Sequence, residues 1–263
     1  MNYCDCKVCP GKTCLGSPKD EYSYKHVKEI TELLAASPAV VTLLVGPQKT
    51  PIACHRALLS FYSEFFNVML FGNFSEAGKA EVDLPEEDDA LIQTFVAWLY
   101  TGNLEAVHGD PQAMSDKESN SPAMMQLWVL GDKLLSNRFM NDVMRLIYRN
   151  YAVHYVSPEA AEYVYMSTVP ESKLKLFMRD LLLAEPPFSR KDFKTAEQAV
   201  EWKKEWIALF AKGGELVQDC MVTGFHDYEL TWCVPYKQQD QCRYLVEETG
   251  MTPEEWIAKK VKL

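Results

Sequence analysis

Val40-Val41-Thr42-Leu43-Leu44-Val45, then Gly46-Pro47-Gln48-Lys49-Thr50, then Pro51-Ile52-Ala53-Cys54, is the stretch on which the fold turns. The first six residues are β-branched or apolar on both faces, which reads as a buried strand. The next five are turn formers and the last four make a second strand, so the stretch predicts a β-hairpin. His55 to Phe71 is then helical in pattern. Leu58, Phe61, Phe65 and Met69 stay near one face, and Ser60 and Ser63 divide the run into two short helices.

On the N-terminal side, Val27, Ile30 and Leu34 fall at i, i+3 and i+7 with Leu33 alongside. They predict a helix from about His26, ended by Ser37-Pro38. On the C-terminal side, Glu81-Val82-Asp83-Leu84 alternates as a half-buried strand does, and Pro85 closes it. Glu86 to Asp89 place acid at the start of a helix striped by Ile92, Phe95, Val96 and Leu99 and stopped at Thr101-Gly102. Residues 105–122 are rich in turn formers and charge and read as a loop. Leu127, Leu130, Leu134 and Leu135 stripe one further helix, and Met140, Val143, Met144, Ile147 and Tyr148 another. The short Ser136-Asn137 link makes them an antiparallel pair.

After residue 150 the pattern stays helical. Ser157-Pro158 is a cap, Ser172 to Leu183 a helix, and Ala196 to Met221 a long helix weakened at Gly213-Gly214. Thr252-Pro253-Glu254-Glu255-Trp256 is a helix start. Residues 1–25 hold Cys4, Cys6, Cys9 and Cys14 without periodicity and read as a flexible tail. The expected fold class is α+β, mainly helical: a small sheet flanked by helices, with a helical C-terminal extension.

This order of elements resembles the BTB/POZ fold, and the residues agree with it. Val41-Thr42-Leu43-Leu44-Val45-Gly46 is similar to the family's opening strand, and His55-Arg56-Ala57-Leu58-Leu59 to its H-K-x-x-L helix start. Ser63-Glu64-Phe65-Phe66 is similar to its S-x-x-F, Phe74-Ser75-Glu76-Ala77 to its F-x-E turn, and Val82-Asp83-Leu84-Pro85 to the following strand. Trp98-Leu99-Tyr100-Thr101-Gly102 resembles its Y-T-G ending, and Val129 to Leu134 its L-A-D-K-L helix. Seven pieces in order over about 95 residues make the match specific, whereas the rest of the chain resembles the helical tails of fungal BTB/POZ proteins in general character. The expected division is a Cys-rich tail at 1–25, a BTB/POZ domain at 26–150 with a loop insertion at 105–122, and a helical extension at 151–263. Where the family often has Asp before its first strand, this chain has Val40, which puts the charged pocket of BTB transcription-factor dimers in doubt.

Composition bounds the partners. The 263 residues carry a formal net charge of -10, a field of the wrong sign for phosphate, so no nucleic-acid partner is expected. No run of about 18 apolar residues and no apolar h-region predict a chain with no membrane partner, intracellular, cytoplasmic or nuclear, with reduced thiols. No catalytic residue and no cofactor are assigned. His55 has no nucleophile or acid at a motif spacing and no G-x-S-x-G is present, so its ring is expected to pack at a helix start with one nitrogen on backbone. Gly11-Lys12-Thr13 ends like a phosphate loop, but Cys6 stands where the first glycine belongs.

The four N-terminal thiols suffice in number for a zinc site, yet they are crowded into eleven residues; free thiols on a tail are the preferred reading. Cys220, His226, Cys233 and Cys242 fit no standard spacing, and no metal ligand is assigned. The resemblance implies instead a protein partner. In BTB adaptors of cullin ubiquitin ligases an apolar-x-Glu turn helps contact the cullin, which makes Phe74 and Glu76 the candidate partner-binding pair. The first helix of many BTB/POZ proteins forms a homodimer, which makes Val27, Ile30, Leu33 and Leu34 the candidate dimer interface, with packing inside the chain as the alternative. Trp202 and Trp206 are expected to anchor the tail helix. The expected function is a non-enzymatic protein–protein interaction module acting by self-association or partner binding. The alternatives are a substrate adaptor of a cullin-type ubiquitin ligase and a zinc-stabilised transcriptional regulatory protein.

Overall fold

The computed structural model describes residues 19–72, 80–108, 122–223, 241–248 and 250–261. The chain divides into two units. The first holds residues 15–110, 126–143 and 246–263; the second holds 1–14, 111–125 and 144–245.

In the first unit the order begins α1 (Lys19–Ala36), β1 (Val40–Val45), β2 (Thr50–His55), α2 (Arg56–Tyr62), α3 (Glu64–Phe71) and β3 (Glu81–Leu84). It continues α4 (Asp89–Thr101), α5 (Leu104–His108), parts of α6 (Ala123–Lys133) and α7 (Asn137–Tyr151), and α12 (Pro253–Lys260). β1 is the centre of a three-stranded sheet in the order β2-β1-β3. It pairs antiparallel with β2, Leu43 opposite Ile52, and parallel with β3, Leu43 opposite Val82. A hairpin joins the first pair, and the helices α2 and α3 lie between the parallel strands in sequence, as a parallel connection needs.

Local chemistry sets the boundaries. Gly46 turns the hairpin at φ +69. Ser63 alone divides α2 from α3. Its backbone is extended and its hydroxyl accepts the Phe66 N–H, while Ser60 stays inside α2 and donates to the Arg56 carbonyl at 2.8 Å. Asp88 caps α4, and Gly102 ends it in the left-handed region. Two expectations are corrected. α1 starts at Lys19 rather than near His26, because helix-forming charged residues extend it without an apolar stripe. α5 takes up 104–108, at the start of the expected loop. β1 also alternates: Val41, Leu43 and Val45 are buried, while Thr42 and Leu44 are partly covered.

The core centres on Trp98, whose ring meets Phe95, Phe139 and Tyr62 at 5.9, 5.0 and 5.4 Å between centroids. Its indole N–H donates to Asp142 at 3.0 Å, so the ring is buried without an orphaned donor. At about 25 cal/mol per Å2, ring burial of this size contributes roughly 4–6 kcal/mol against an extended chain.

The second unit contains α8 (Pro158–Ser167), α9 (Lys173–Ala184), α10 (Ala196–Ala211) and α11 (Glu215–Gln218). Ser157 and Ser172 cap α8 and α9. The long helix expected from 196 to 221 breaks at Gly213 and Gly214, both at positive φ, and resumes as α11 and a π-helical turn. Trp202 and Trp206 pack inside this unit, and Trp202 Nε1 donates to the Pro187 carbonyl at 2.9 Å. Arg190 lies 4.7, 4.8 and 4.7 Å from the rings of Tyr155, Phe193 and Trp202. Buried Asp180 accepts from Arg179 and from the Tyr244 hydroxyl.

Candidate interaction surface

α1 is fixed to the first unit by polar groups that its apolar stripe does not announce. His26 is fully buried, and its Nε2–H donates to the Leu99 carbonyl at 3.0 Å. Its Nδ1 lies 3.2 Å from the Tyr62 hydroxyl, which donates to Glu29 Oε2 at 3.1 Å. Arg138 donates to the same carboxylate at 2.6 Å and lies over the Tyr62 ring. Burial, then the Arg138 charge, hold the His26 ring below its ordinary value, and burial pushes the Tyr62 hydroxyl up. Gly102 packs against the imidazole so closely that an added Cβ would lie 2.5 Å from His26 Cγ.

With His26, Glu29 and Leu33 turned inward, the other side of α1 faces outward. Leu33 is fully buried, Ile30 and Leu34 are partly covered, and Val27 is 57% exposed. Tyr24, one turn earlier, is 74% exposed, and Val40 at the head of β1 is also exposed. So three of the four stripe residues, Val27, Ile30 and Leu34, remain at least partly accessible on one flank, joined there by Tyr24. Phe74 and Glu76 lie outside the described residues.

His55 does not bond backbone through its ring. Its Nδ1 sits 2.7 Å from the Tyr100 hydroxyl, which also accepts the His55 backbone N–H at 3.1 Å. The pair ties the start of α2 to the end of α4. Cys54 beside it is buried, which pushes its thiol up to about 12 and keeps it protonated. Among the described residues no group of three or more His, Cys, Asp or Glu is placed to hold a metal ion. Cys4, Cys6, Cys9, Cys14, His226 and Cys233 lie outside those residues. No helix among the described residues is long and apolar enough to cross a membrane.

Residues 37–121 match the family model of the BTB/POZ domain. The chain carries a BTB/POZ domain. The BTB/POZ match covers the hairpin, the α2–α3 pair, β3 and the α4 ending at Gly102, so it falls on the sheet and the helices against it. The chain is similar to Kelch-like protein 30 of Mus musculus, 36% identical over 91 residues, which is 34% of this chain and 15% of that protein. It is 39% identical over 77 residues to Kelch-like protein 30 of Homo sapiens, 29% of this chain and 13% of that one. Kelch-like protein 7 of Rattus norvegicus is 32% identical over 76 residues, again 29% and 13%. This chain therefore spans no more than 15% of the length of these curated relatives. The matched part is a protein–protein interaction module of BTB/POZ type, joined to a helical extension.

Proposed function

We propose that the chain is a non-enzymatic BTB/POZ protein that acts by binding protein, first of all a second copy of itself, through the outer flank of α1. The observation that carries this is the division of α1: a buried polar anchor at His26 and Glu29, and outward Tyr24, Val27 and Ile30. Exposed large apolar residues grouped on one helix flank favour association more than they favour solubility. The flank is rigid because the anchor holds the helix, so little conformational freedom is lost on docking. In this reading residues 26–150 are the module and 151–263 the extension, of the helical kind that fungal BTB/POZ proteins carry, which α8 to α11 support, while α12 packs back on α1 of the module. The free thiols of Cys54 and Cys220 suit a reducing, intracellular setting, cytoplasmic or nuclear.

The test is light scattering on the full chain. Wild type is expected as a dimer and Val27→Glu as a monomer, since a charge on each copy's flank would face its like across a twofold interface. A monomeric wild type at high protein concentration, or a dimeric Val27→Glu chain, removes the reading.

A second reading is favoured by Phe74-x-Glu76, which resembles the apolar-x-Glu turn of BTB adaptors: a substrate adaptor of a cullin-type ubiquitin ligase. An apolar anchor with a carboxylate at its rim suits a partner groove. Pull-down of a cullin scaffold with Glu76→Lys as control decides it, and equal recovery with the variant rejects the pair.

A further inference from the structure

The second unit holds a small polar cavity, and none of its lining residues belongs to the first unit. Its volume is about 180 Å3. The lining includes His154 and Tyr155, between α7 and α8, and Arg190, Asp192, Lys194 and Gln198, on the run into α10 and its first turn. Pockets that take a whole small molecule start at roughly 300 Å3, so this one has room for a single chemical group.

Arg190 is the fixed point of the cavity. Its guanidinium lies 4.7, 4.8 and 4.7 Å from the rings of Tyr155, Phe193 and Trp202. Its Nε donates to the Asp192 carboxylate at 3.0 Å, which sets the rotation of the plane. The side chain is only 15% exposed, yet no acceptor among the described residues meets either Nη group. A largely covered donor is costly to leave unmet, and the cavity that Arg190 lines is where an acceptor can reach these.

A second donor is set in the same way. The Lys194 backbone N–H donates to Gln198 Oε1 at 3.1 Å, which assigns the amide and leaves Gln198 Nε2 as a donor with no acceptor among the described residues. The charges agree with the donors. Arg190 and Lys194 bring two cations against the one carboxylate of Asp192. The fork of an arginine matches two phosphate oxygens, and stacking on rings orients it beforehand. The net charge of -10 repels a polyanion, but beyond about 8 Å it is largely screened at physiological salt, so a single phosphate is decided by these neighbours.

We propose that this cavity binds a phosphorylated side chain on a segment of a protein partner. The Nη edge of Arg190 grips the phosphate, and Lys194 and Gln198 complete its shell. The size of the cavity selects the group over a nucleotide, and the acidic chain disfavours an anionic membrane as its source. The choice of a protein as the source rests on the reading of the chain as a protein-binding module. The α1 flank contributes no residue here, so the Val27→Glu measurement and the phosphate measurement fail independently.

The test uses the full chain with isotope-labelled tryptophan and follows the indole N–H resonance of Trp202, the ring beside Arg190. The probes are inorganic phosphate and short capped alanine peptides with phosphoserine, phosphotyrosine or glutamate at the centre, all at constant ionic strength. At least one phosphopeptide is expected to shift that resonance saturably. It should bind about tenfold or more tighter than the glutamate peptide, and tighter than inorganic phosphate. Lys194→Glu, at an exposed position, should weaken this binding about tenfold, and Arg190→Lys at least as much. The Trp98 and Trp256 resonances report that the Lys194→Glu chain is folded.

The proposal is overturned if neither phosphopeptide shifts Trp202, or if the glutamate peptide binds as tightly. It is overturned equally if a folded Lys194→Glu chain binds like wild type. Inorganic phosphate binding as tightly as both phosphopeptides would make free phosphate the ligand and remove the protein partner. Sedimentation with phosphatidic acid vesicles, lost in Lys194→Glu, would move the site to a membrane and likewise overturn it.

Discussion

Gly102→Ala should be far more damaging than Gly46→Ala, although both glycines sit at positive φ in the same unit. Each alanine carries the left-handed penalty of about 1–2 kcal/mol. At Gly46 the new Cβ would meet only the Glu87 carbonyl at 3.4 Å, ordinary contact. At Gly102 it would lie 2.5 and 2.6 Å from His26 Cγ and Cδ2, with the ring fixed by Leu99 on one side and Tyr62 on the other. The imidazole has to move, and overpacking of this kind costs about 1–3 kcal/mol more. The expected totals are roughly 2–5 kcal/mol for Gly102→Ala and roughly 1–2 kcal/mol for Gly46→Ala. Native-state hydrogen exchange of peptides from α1 and α4, with urea unfolding of the same samples, measures both. The double variant His26→Ala/Gly102→Ala should show coupling of about 1 kcal/mol or more, since the ring that is struck has gone. Losses for the two glycine variants within about 0.5 kcal/mol of each other would refute the reasoning.

Three further outcomes concern His26, Leu135 and Arg190. Because His26 is depressed below its ordinary 6.5 in the fold, the unfolded chain takes up the proton first as pH falls. Its contribution is complete above that value and declines below it, by up to about 1.4 kcal/mol per pH unit; Glu29, Arg138, Asp142 and Tyr62 are the charged and titratable groups around it. Urea midpoints at about pH 7.5 and about pH 5.5 should therefore converge in His26→Gln relative to wild type, and parallel behaviour would speak against a neutral buried ring. Leu135 is half exposed at φ 51, so Leu135→Asn should stabilise the first unit by about 1 kcal/mol, read as a higher urea midpoint. Arg190→Lys keeps the charge but loses the planar stack on Tyr155, Phe193 and Trp202, and should cost the second unit about 1–2 kcal/mol, visible as faster exchange in α10.

What was legible in the sequence is local. The hairpin follows from a β-branched run, a Gly-Pro turn and a second short run. The break at Ser63 and the starts at Ser157, Ser172 and Thr252 follow from capping chemistry that acts within three or four residues. What was not legible joins residues far apart. His26 meets Leu99 across 73 positions, and Glu29 meets Arg138 across 109. A buried histidine and glutamate on a helix otherwise read by its apolar stripe give no periodic signal. The stripe likewise could not say that Leu33 turns inward while Val27 stays out, since adjacent apolar positions on a helix span more than one face. Nor could it place residues 246–248 against Asn137 and Asn141, because an asparagine that reads backbone leaves no trace in spacing.

The outer flank of α1 is the account's central surface, and photocross-linking from it is the most direct measurement. Benzoylphenylalanine placed at position 24 of the full chain, irradiated and mapped by peptide mass spectrometry, should join mainly to residues 24–36 of another copy. Cross-links confined to the chain's own residues, unchanged on dilution, would contradict it.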